Sequence, residues 1–430
     1  MISSQTAQHP SQRRLRKLSV PRQRLKILMT RVRLLYPLNT GGKIRTAKMI
    51  EQLSKENDLT LVTYRYPEDT DDDVAQTATL CRQLITVPYQ EAPKYTARFY
   101  YELVKNLFQS LPYVAAKYAS RGMSQTVAGV YRAQQPDVVM VDFLQACETL
   151  RDIDDAPFVL FQHNVEAAIF EQLAARAKSP WSRAYLTLQA RRMRRYEARM
   201  CRKARTVIAV SDVDRENFEK GYGARHCEVV PTGVDTEFFM PSALRRHGMN
   251  NLVFTGSMDW LANQDAMHYF VSGILPLIRE EIPDVMLSIV GRNPPPDIAK
   301  LGERPGIAVT GTVDDIRPYV HGAKVYIVPL RIGSGTRLKL LEAMAMGKAI
   351  VSTTIGAEGL PVQHGKNIVL ADDPHTFARD VVTLLRENEL RQEFEENARA
   401  LVERDYSWRK VGLVFNDICH RAAKNVRAPA

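Results

Sequence analysis

A glycine-rich stretch in the second half of the chain carries the residue types that bind a diphosphate. It follows a predicted strand and reads, in order, Gly333, Ser334, Gly335, Thr336, Arg337, Leu338 and Lys339. Exposed N–H groups and the dipole at a helix start form an anion site, which cationic side chains strengthen. Glu342, further along the predicted helix, can accept hydrogen bonds from a ribose diol. Each of Arg337, Lys339 and Glu342, taken singly, could be an ordinary charged residue on the surface of a capped helix. Their occurrence together, directly after a strand, favours a binding site.

A second group of polar residues follows the predicted strand Phe158–Phe161. His163 can donate a hydrogen bond to a sugar hydroxyl, although a lone histidine is often a structural hydrogen-bonding group. Asn164 and Glu166 either position an acceptor or cap the next helix. Ligands of open α/β sheets bind at the carboxyl ends of the strands, and this position favours a functional role for His163.

A third group opens the first predicted helix. Gly41 and Gly42 either let the backbone approach a phosphate or sugar closely or form a simple strand-to-helix turn. Arg45 faces either a leaving group or solvent. The loop lacks the GxGxxG pattern, which disfavours a nicotinamide enzyme. The acidic run 69–73 lies far from these groups in the sequence, and we interpret it as a solvated turn, not a metal site.

Alternating strands and helices must position these groups. The first half predicts strands at 25–29, 59–63, 84–87, 138–141, 158–161 and 207–210, with Ser211 and Asp212 placed to cap a helix. The pattern breaks at 231–235, and a fresh series of strands follows at 252–254, 286–290, 307–309, 325–328, 349–351 and 368–370. This order predicts an α/β fold with two Rossmann-like, doubly wound parallel-sheet domains facing a cleft.

Three segments resemble motifs of the family 4 glycosyltransferases of the GT-B fold. Glu342–Gly347 is similar to the family's E-A-M-A-x-G, and Pro231–Phe239 to its N-G-V-D-x-x-x-F linker, with Thr232 in place of Asn. Tyr406–Trp408 resembles the F-S-W before the last helix. The resemblance covers roughly residues 25–425. It implies a basic tail (1–23), an acceptor domain (24–237) to which a C-terminal helix (409–425) returns, and a donor domain (238–408).

The resemblance also implies the chemistry. A sugar is transferred with retention from a nucleotide-diphosphate sugar, which is a substrate, and no metal or other cofactor is expected. Arg337 and Lys339 stabilise the leaving diphosphate, Glu342 holds the ribose, and His163 lies beside the donor sugar. Further implied donor contacts come from Gly41, Gly42, Gly256, Ser257, Val313, Gly333, Ser334, Gly335, Thr336 and Leu338. Implied acceptor or cleft contacts come from Arg45, Asn164, Glu166 and Arg292.

Two departures from the family pattern affect the donor site. Ser334 stands where many members have the first Glu of an E-x7-E motif. The loop 256–260 lacks the Arg and Lys that many members carry after the first strand of the donor domain. Arg337 and Lys339 substitute for them if they reach the same phosphates.

The charge distribution bears on the acceptor and on location. The formal net charge is +11, with basic clusters at residues 13–26 and 191–205. Such clusters form a solvated surface or bind anionic lipid or polyphosphate, and the sequence has no module typical of nucleic-acid binding. Five scattered cysteines, no run of about 18 apolar residues and no apolar leader predict a cytoplasmic protein. If the basic cluster 191–205 binds anionic lipid, the protein is peripheral at the inner face of the membrane.

These features predict transfer to a glycan or polyprenyl-linked acceptor in cell-surface polysaccharide biosynthesis. Two other functions stay open. The missing first acid is compatible with a catalytically inert, nucleotide-sugar-binding partner of a polysaccharide synthase. A GT-B-type epimerase would alter a nucleotide-sugar without an acceptor, although the E-A-M-A-x-G segment speaks against it.

Overall fold

The computed structural model describes residues 23–93, 95–153, 156–177, 179–242, 250–332 and 338–427. Within these ranges the chain forms two parallel β-sheets of seven and six strands, each flanked by helices. The predicted α/β architecture with two parallel-sheet domains is confirmed. None of the described helices is both long and apolar enough to cross a membrane.

The first sheet has the strand order β3-β2-β1-β4-β5-β6-β7. Its strands are β1 (Lys26–Arg31), β2 (Asp58–Arg65), β3 (Gln83–Pro88), β4 (Val138–Asp142), β5 (Phe158–Phe161), β6 (Thr206–Ala209) and β7 (Cys227–Val229). Its helices are α1 (Gly41–Glu56), α2 (Asp71–Ala78), α3 (Ala97–Leu107), α4 (Tyr113–Ala116), α5 (Arg121–Gln134), α6 (Glu166–Arg176), α7 (Pro180–Lys203) and α8 (Asp212–Glu216). The segment Leu144–Ile153 is a 3-10 helix.

The second sheet has the order β10-β9-β8-β11-β12-β13. Its strands are β8 (Asn251–Thr255), β9 (Met286–Val290), β10 (Ile307–Val309), β11 (Val325–Val328), β12 (Ala349–Ser352) and β13 (Val369–Leu370). The helices of this half are α9 (Leu261–Tyr269), α10 (Leu275–Glu281), α11 (Pro296–Ala299), α12 (Arg317–His321), α13 (Leu338–Ala345), α14 (Pro374–Arg386), α15 (Asn388–Asp405) and α16 (Trp408–Arg427).

The last helix, α16, packs on the first sheet. Trp408, Phe415 and Ile418 are buried together with Ile27 and Met29 of β1 in one apolar core. The chain therefore passes between the domains twice, once near Val234 and once near Tyr406. These two connecting segments are hydrogen-bonded to each other, because Val234 N donates to Tyr406 O (2.8 Å) and Trp408 N donates to Val234 O (3.2 Å).

Two local features differ from expectation. The acidic run 69–73 is not a turn, because α2 begins at Asp71. The Thr70 side chain accepts from the Asp73 amide, and the Asp73 carboxylate accepts from the Thr70 amide, a reciprocal cap that stabilises a helix start.

The edge strand β7 was not predicted. Ser211 is the cap of α8, as predicted, accepting from Asp214 N (3.1 Å).

Candidate functional site

Both sheets reverse strand order near the candidate residues. The first reverses between β1 and β4, and the second between β8 and β11. Loops that leave the carboxyl ends of strands diverge at such a reversal and open a crevice where ligands bind. The loop after β1 leads to Gly41, and the loop after β8 begins at Gly256. The strand order therefore places the loops after β1 and β8 at these crevices.

Lys339 lies against the loop after β8. Its Nζ donates to Asn263 Oδ1 (2.8 Å) and sits 4.1 Å from the centre of the Phe254 ring. A Cβ atom on Gly256 would be 2.7 Å from that Nζ, so the glycine lets the lysine approach this loop closely. The structure thus brings Lys339 to the loop that lacks the family's Arg and Lys.

Glu342 is partly buried one turn further along α13. Burial raises the pKa of its carboxyl to about 7, and the nearby Lys339 cation opposes that rise. A carboxyl with this pKa changes its charge near neutral pH and can serve as a hydrogen-bond acceptor when it is ionised.

The two domains meet at these loops. Arg292, after β9, donates through Nε to Ser257 Oγ (2.8 Å) and through Nη1 to Asn39 O of the first domain (3.3 Å). A Cβ atom on Gly41 would lie 3.3 Å from Leu338 Cδ1 at the start of α13. Gly41, Ser257, Arg292 and Leu338 therefore line the contact between the carboxyl edges of the two sheets.

His163 is buried beneath α1 with both ring nitrogens near protein groups. Its Nε2 lies 2.8 Å from Asp142 Oδ1, and its Nδ1 lies 3.4 Å from Arg45 Nη1. The ring stacks on Phe143, with centroids 3.8 Å apart and 9° between the planes. Burial lowers the pKa of His163 to about 4, against the raising effect of Asp142. At neutral pH the ring is therefore uncharged, and it can donate to Asp142 through Nε2–H while Arg45 donates to Nδ1.

Asp142 completes this buried network. It accepts from Thr46 Oγ1 (3.1 Å) and lies 3.5 Å from Arg31 Nε. Burial alone would raise the pKa of Asp142, but the Arg31 cation and His163 hold it below its usual value. Arg31 is itself buried, and its Nη1 has no hydrogen-bond partner among the described residues.

Arg45 reaches neither solvent nor the opening between the domains. Its side chain is 1% exposed and donates to the carbonyl oxygens of Gln162 (3.0 Å) and Val230 (2.6 Å). Its guanidinium lies 4.5 Å from the centre of the Phe161 ring. These carbonyls and the ring provide a buried place for the cation, so Arg45 ties α1 to the ends of β5 and β7.

The start of α6 is capped from another helix. Glu197 of α7 accepts from the amides of Glu166 (3.0 Å) and Ala167 (3.0 Å) and from Gln162 Nε2 (3.1 Å). Neither Asn164 nor Glu166 is the capping residue, and Val165, at the cap position, makes no side-chain cap. Burial raises the pKa of Glu166 to about 7, opposed by hydrogen bonds from Asn164 and Gln145.

Gly42 is enclosed by protein. A Cβ atom there would lie 2.7 Å from Phe143 Cζ, so the glycine admits the aromatic ring that stacks on His163. Phe143 has a φ of 68°, in the left-handed region that non-glycine residues seldom adopt. Packing against Phe143 accounts for a glycine at this position, in the first turn of α1, and a ligand contact of Gly42 stays a prediction.

Comparison with known proteins identifies the family. A family model described as Glycosyltransferase Family 4 matches residues 40–238, and one described as Glycosyl transferases group 1 matches residues 249–387. The chain belongs to the family 4 glycosyltransferases.

Two curated relatives match parts of this glycosyltransferase family member. A phosphatidyl-myo-inositol mannosyltransferase of Mycolicibacterium smegmatis is 30% identical over 214 residues, 47% of this chain and 53% of the relative. An uncharacterized 44.6 kDa protein in the cps region of Klebsiella pneumoniae is 26% identical over 169 residues, 37% of this chain and 44% of the relative. The matches thus span about half the length of these relatives.

Solved structures show that this family 4 chain has the GT-B fold. Sucrose-phosphate synthase from Thermosynechococcus elongatus aligns with a TM-score of 0.65 at 16% identity, covering 94% of this chain and 100% of that one. Anabaena Alr3699/HepE in complex with UDP and glucose aligns with a TM-score of 0.59 at 16% identity, covering 92% and 99%. At these identities the likeness concerns the fold alone.

The remaining predicted glycosyltransferase contacts are distributed as follows. Gly333, Ser334, Gly335, Thr336 and Arg337 lie outside the described residues. Val313 is half-buried and packs on the core of the second domain, in the loop after β10. Sequence reasoning missed Asp142 and Glu197. Asp142 directly follows buried hydrophobic residues of β4, the same signal that singled out His163 after β5, whereas nothing in the α7 sequence marks Glu197 as a cap for α6.

Proposed function

We propose that this chain transfers a sugar, with retention of anomeric configuration, from a nucleotide-diphosphate sugar to a glycan or lipid-linked acceptor without a metal ion. Family membership supports sugar transfer. The observation that carries the donor assignment is the convergence of Lys339, Gly256 and Glu342 at the carboxyl edge of the second sheet.

The donor would lie with its diphosphate at the start of α13. Lys339 supplies a cation at the Gly256 loop, and Arg337 belongs to the segment that precedes the helix. As the anomeric C–O bond to the diphosphate breaks, negative charge grows on the leaving phosphate, and these cations stabilise it. One preorganised contact of this kind lowers a barrier by roughly 3–4 kcal/mol. Glu342 would hold the ribose, which aligns the donor for transfer.

The first domain would face the sugar and the acceptor. An uncharged His163 adds no positive charge beside a sugar ring that becomes positive in the transition state. For His163 to donate to a sugar hydroxyl, its Nε2–H must turn away from Asp142. The acceptor oxygen would bond to the anomeric carbon on the face that the phosphate leaves, and its proton would pass to that phosphate. Closure of the two domains would exclude water.

The names of two relatives support a lipid-linked or glycan acceptor, of which a polyprenyl-linked glycan is one form. One relative is a phosphatidyl-myo-inositol mannosyltransferase, and another is a protein in a cps region. The basic stretch 191–205 supports contact with an anionic membrane surface. We therefore propose a role in cell-surface polysaccharide biosynthesis at the cytoplasmic face of the membrane, with no nucleic-acid partner.

The first test is release of nucleotide diphosphate from a panel of UDP-, GDP- and ADP-sugars in the presence of EDTA. Release from one donor that is lost in Lys339→Met and Glu342→Gln supports the proposal. Lys366→Met and Glu393→Gln, exposed positions away from the site, are matched controls and retain activity. Binding of a nucleotide diphosphate with no release, even with lipid-linked acceptors, would favour the inert-partner function. Isomerised nucleotide-sugar formed without acceptor would favour an epimerase.

A further inference from the structure

Helix α3 exposes one apolar face. Its outward positions Tyr100, Tyr101, Val104 and Leu107, and the adjoining Phe108, are 41–88% exposed. Their spacing of i, i+1, i+4, i+7 and i+8 makes one continuous helical face. A contiguous exposed apolar patch of this kind marks an interaction surface.

The opposite face of α3 is held by hydrogen bonds as well as by the half-buried side chains of Phe99 and Leu103. Asn106 is buried, its Oδ1 accepts from Gln189 Nε2 (2.9 Å), and its carbonyl accepts from Arg192 Nη1 (2.7 Å). These contacts fix the helix on α7 and keep its exposed apolar face outward.

A further large aromatic side chain extends this face. Trp181, in the first turn of α7, is 87% exposed. It precedes Arg192 by eleven residues, about three helical turns, so both project from the same side of α7. Arg192 Nη2 also donates to Leu107 O (2.8 Å) at the end of α3. Trp181 and α3 therefore share one side of the first domain.

Helix α7, on which α3 is held, is strongly basic. Helix α7 has Glu197, which is buried, as its only acidic residue and eight basic ones: Arg183, Arg191, Arg192, Arg194, Arg195, Arg199, Arg202 and Lys203. Arg191 and Arg195 are exposed, and no carboxylate of the described residues lies within 4 Å of either guanidinium. Aromatic and aliphatic side chains beside arginines are typical of helices that lie in the interface of an anionic bilayer.

We propose that the outward face of α3, together with Trp181, docks on the surface of a bilayer that contains anionic lipid. The aromatic side chains enter the headgroup region, and Arg191 and Arg195 contact lipid phosphates. Arg192 has a different role, since it anchors α3, and Arg194 pairs with Glu171 (3.1 Å). This inference rests on the proposed function, because membrane binding would bring the enzyme to a lipid-linked acceptor. Its test is separate, because vesicle binding requires no sugar transfer.

The experiment is flotation of the full chain with phosphatidylcholine vesicles, with and without one-third phosphatidylglycerol. We expect binding to the anionic vesicles and an at least tenfold loss of that binding in the double variant Tyr101→Ser, Phe108→Ser. The control Met286→Ser, Tyr319→Ser replaces two exposed apolar side chains of the second domain and retains binding within twofold. All substituted side chains are exposed, and an unchanged unfolding midpoint checks that each variant is folded.

Two further measurements separate insertion from simple charge attraction. Trp181→Phe should remove the blue shift of tryptophan fluorescence on vesicle addition, and Arg191→Gln, Arg195→Gln should weaken the salt dependence of binding. Loss of binding in the arginine variant alone, with the aromatic variant unaffected, would overturn insertion by α3. Absence of vesicle binding, with concentration-dependent dimerisation that the aromatic variant abolishes, would show instead that this face binds a second copy of the chain.

Discussion

Asp142 holds together a buried network that includes two arginines and a histidine. Replacing it with Asn leaves the buried Arg31 cation without a counter-charge, and breaking a buried pair in this way typically costs about 3–5 kcal/mol. We predict that Asp142→Asn lowers the free energy of unfolding by about 3 kcal/mol or more in urea titrations. Asp405→Asn, which breaks an exposed pair with Arg404, is the control and should cost about 1 kcal/mol or less. Equal small losses in both variants would contradict the structural role of Asp142.

Glu342 gives the proposed donor site a pH dependence. Its pKa is raised to about 7, and only the ionised carboxylate is a pure acceptor for ribose hydroxyls. The affinity for the nucleotide-diphosphate sugar identified in the donor panel should therefore fall as the pH drops below 7, by up to about tenfold per unit. The diphosphate diester of such a donor has no proton that titrates in this range. Calorimetry from pH 5.5 to 8.5 should show the trend in the wild type and a flat profile in Glu342→Gln. A sloping profile in that variant would assign the titration to another group.

The sequence predicted which polar side chains follow strands, but not which of them contact one another. His163 was identified from its position after β5. Its partner Asp142 depends on the register of the parallel pair β4 and β5, in which Asp142 stands beside Phe161. Likewise, only the folded path of α13 brings Lys339 to Gly256. Such contacts join residues far apart in the chain, and single-sequence patterns do not contain them.

Helix α6 depends on α7 for its first turn, because Glu197 accepts from two amides there. Burial raises the pKa of Glu197 to about 8 in the folded state, above its usual value of 4.5. A carboxyl with a raised folded pKa stabilises the fold fully below its unfolded pKa and loses that contribution as the pH rises through 8. We predict that the wild type loses on the order of 1–2 kcal/mol of stability from this group between pH 6.5 and 8.5.

Glu197→Gln tests that prediction. The amide does not titrate, so urea unfolding at the two pH values should show a smaller loss than in the wild type. His163 does not interfere, since its lowered pKa affects stability only below about pH 6.5. Glu403→Gln, at an exposed carboxylate, should keep the wild-type dependence. An undiminished loss in Glu197→Gln would place the titration elsewhere, with Glu166 as the next candidate.

At the element scale, runs of apolar residues predicted twelve of the thirteen strands seen in the described residues. The exception, β7, has three residues, all half-buried, and therefore lacks an apolar signal. Helix α2 was missed because its acidic first turn looks like a polar loop. There the cap contacts of Thr70 and Asp73, not an apolar stripe, mark where the helix begins.

At the scale of the whole molecule, Gly41 and Leu338 face one another across the domain contact. A larger side chain at position 41 has to displace Leu338 or move the domains apart, since a Cβ alone would lie 3.3 Å from Cδ1. We predict that Gly41→Val reduces donor turnover at least tenfold and changes the unfolding midpoint little, because this position is exposed. Gly129→Val, on an exposed helical position with open space around it, is the control and should retain turnover. Full turnover in Gly41→Val would show that this contact is not needed for activity.

The two connections between the domains limit how the second domain can be exchanged by recombination. Since α16 completes the core of the first sheet, the second domain is an insertion within the first, not a neighbour appended to its end. A recombination event that exchanges the second domain must cut the chain on both sides, near 231–242 and near 405–408. The two cut sites are in contact in the folded protein, because Val234 N donates to Tyr406 O. A transplanted domain would therefore be connected to the first domain at one place. Lineages that exchange the second domain by recombination would therefore have to inherit both connecting segments together.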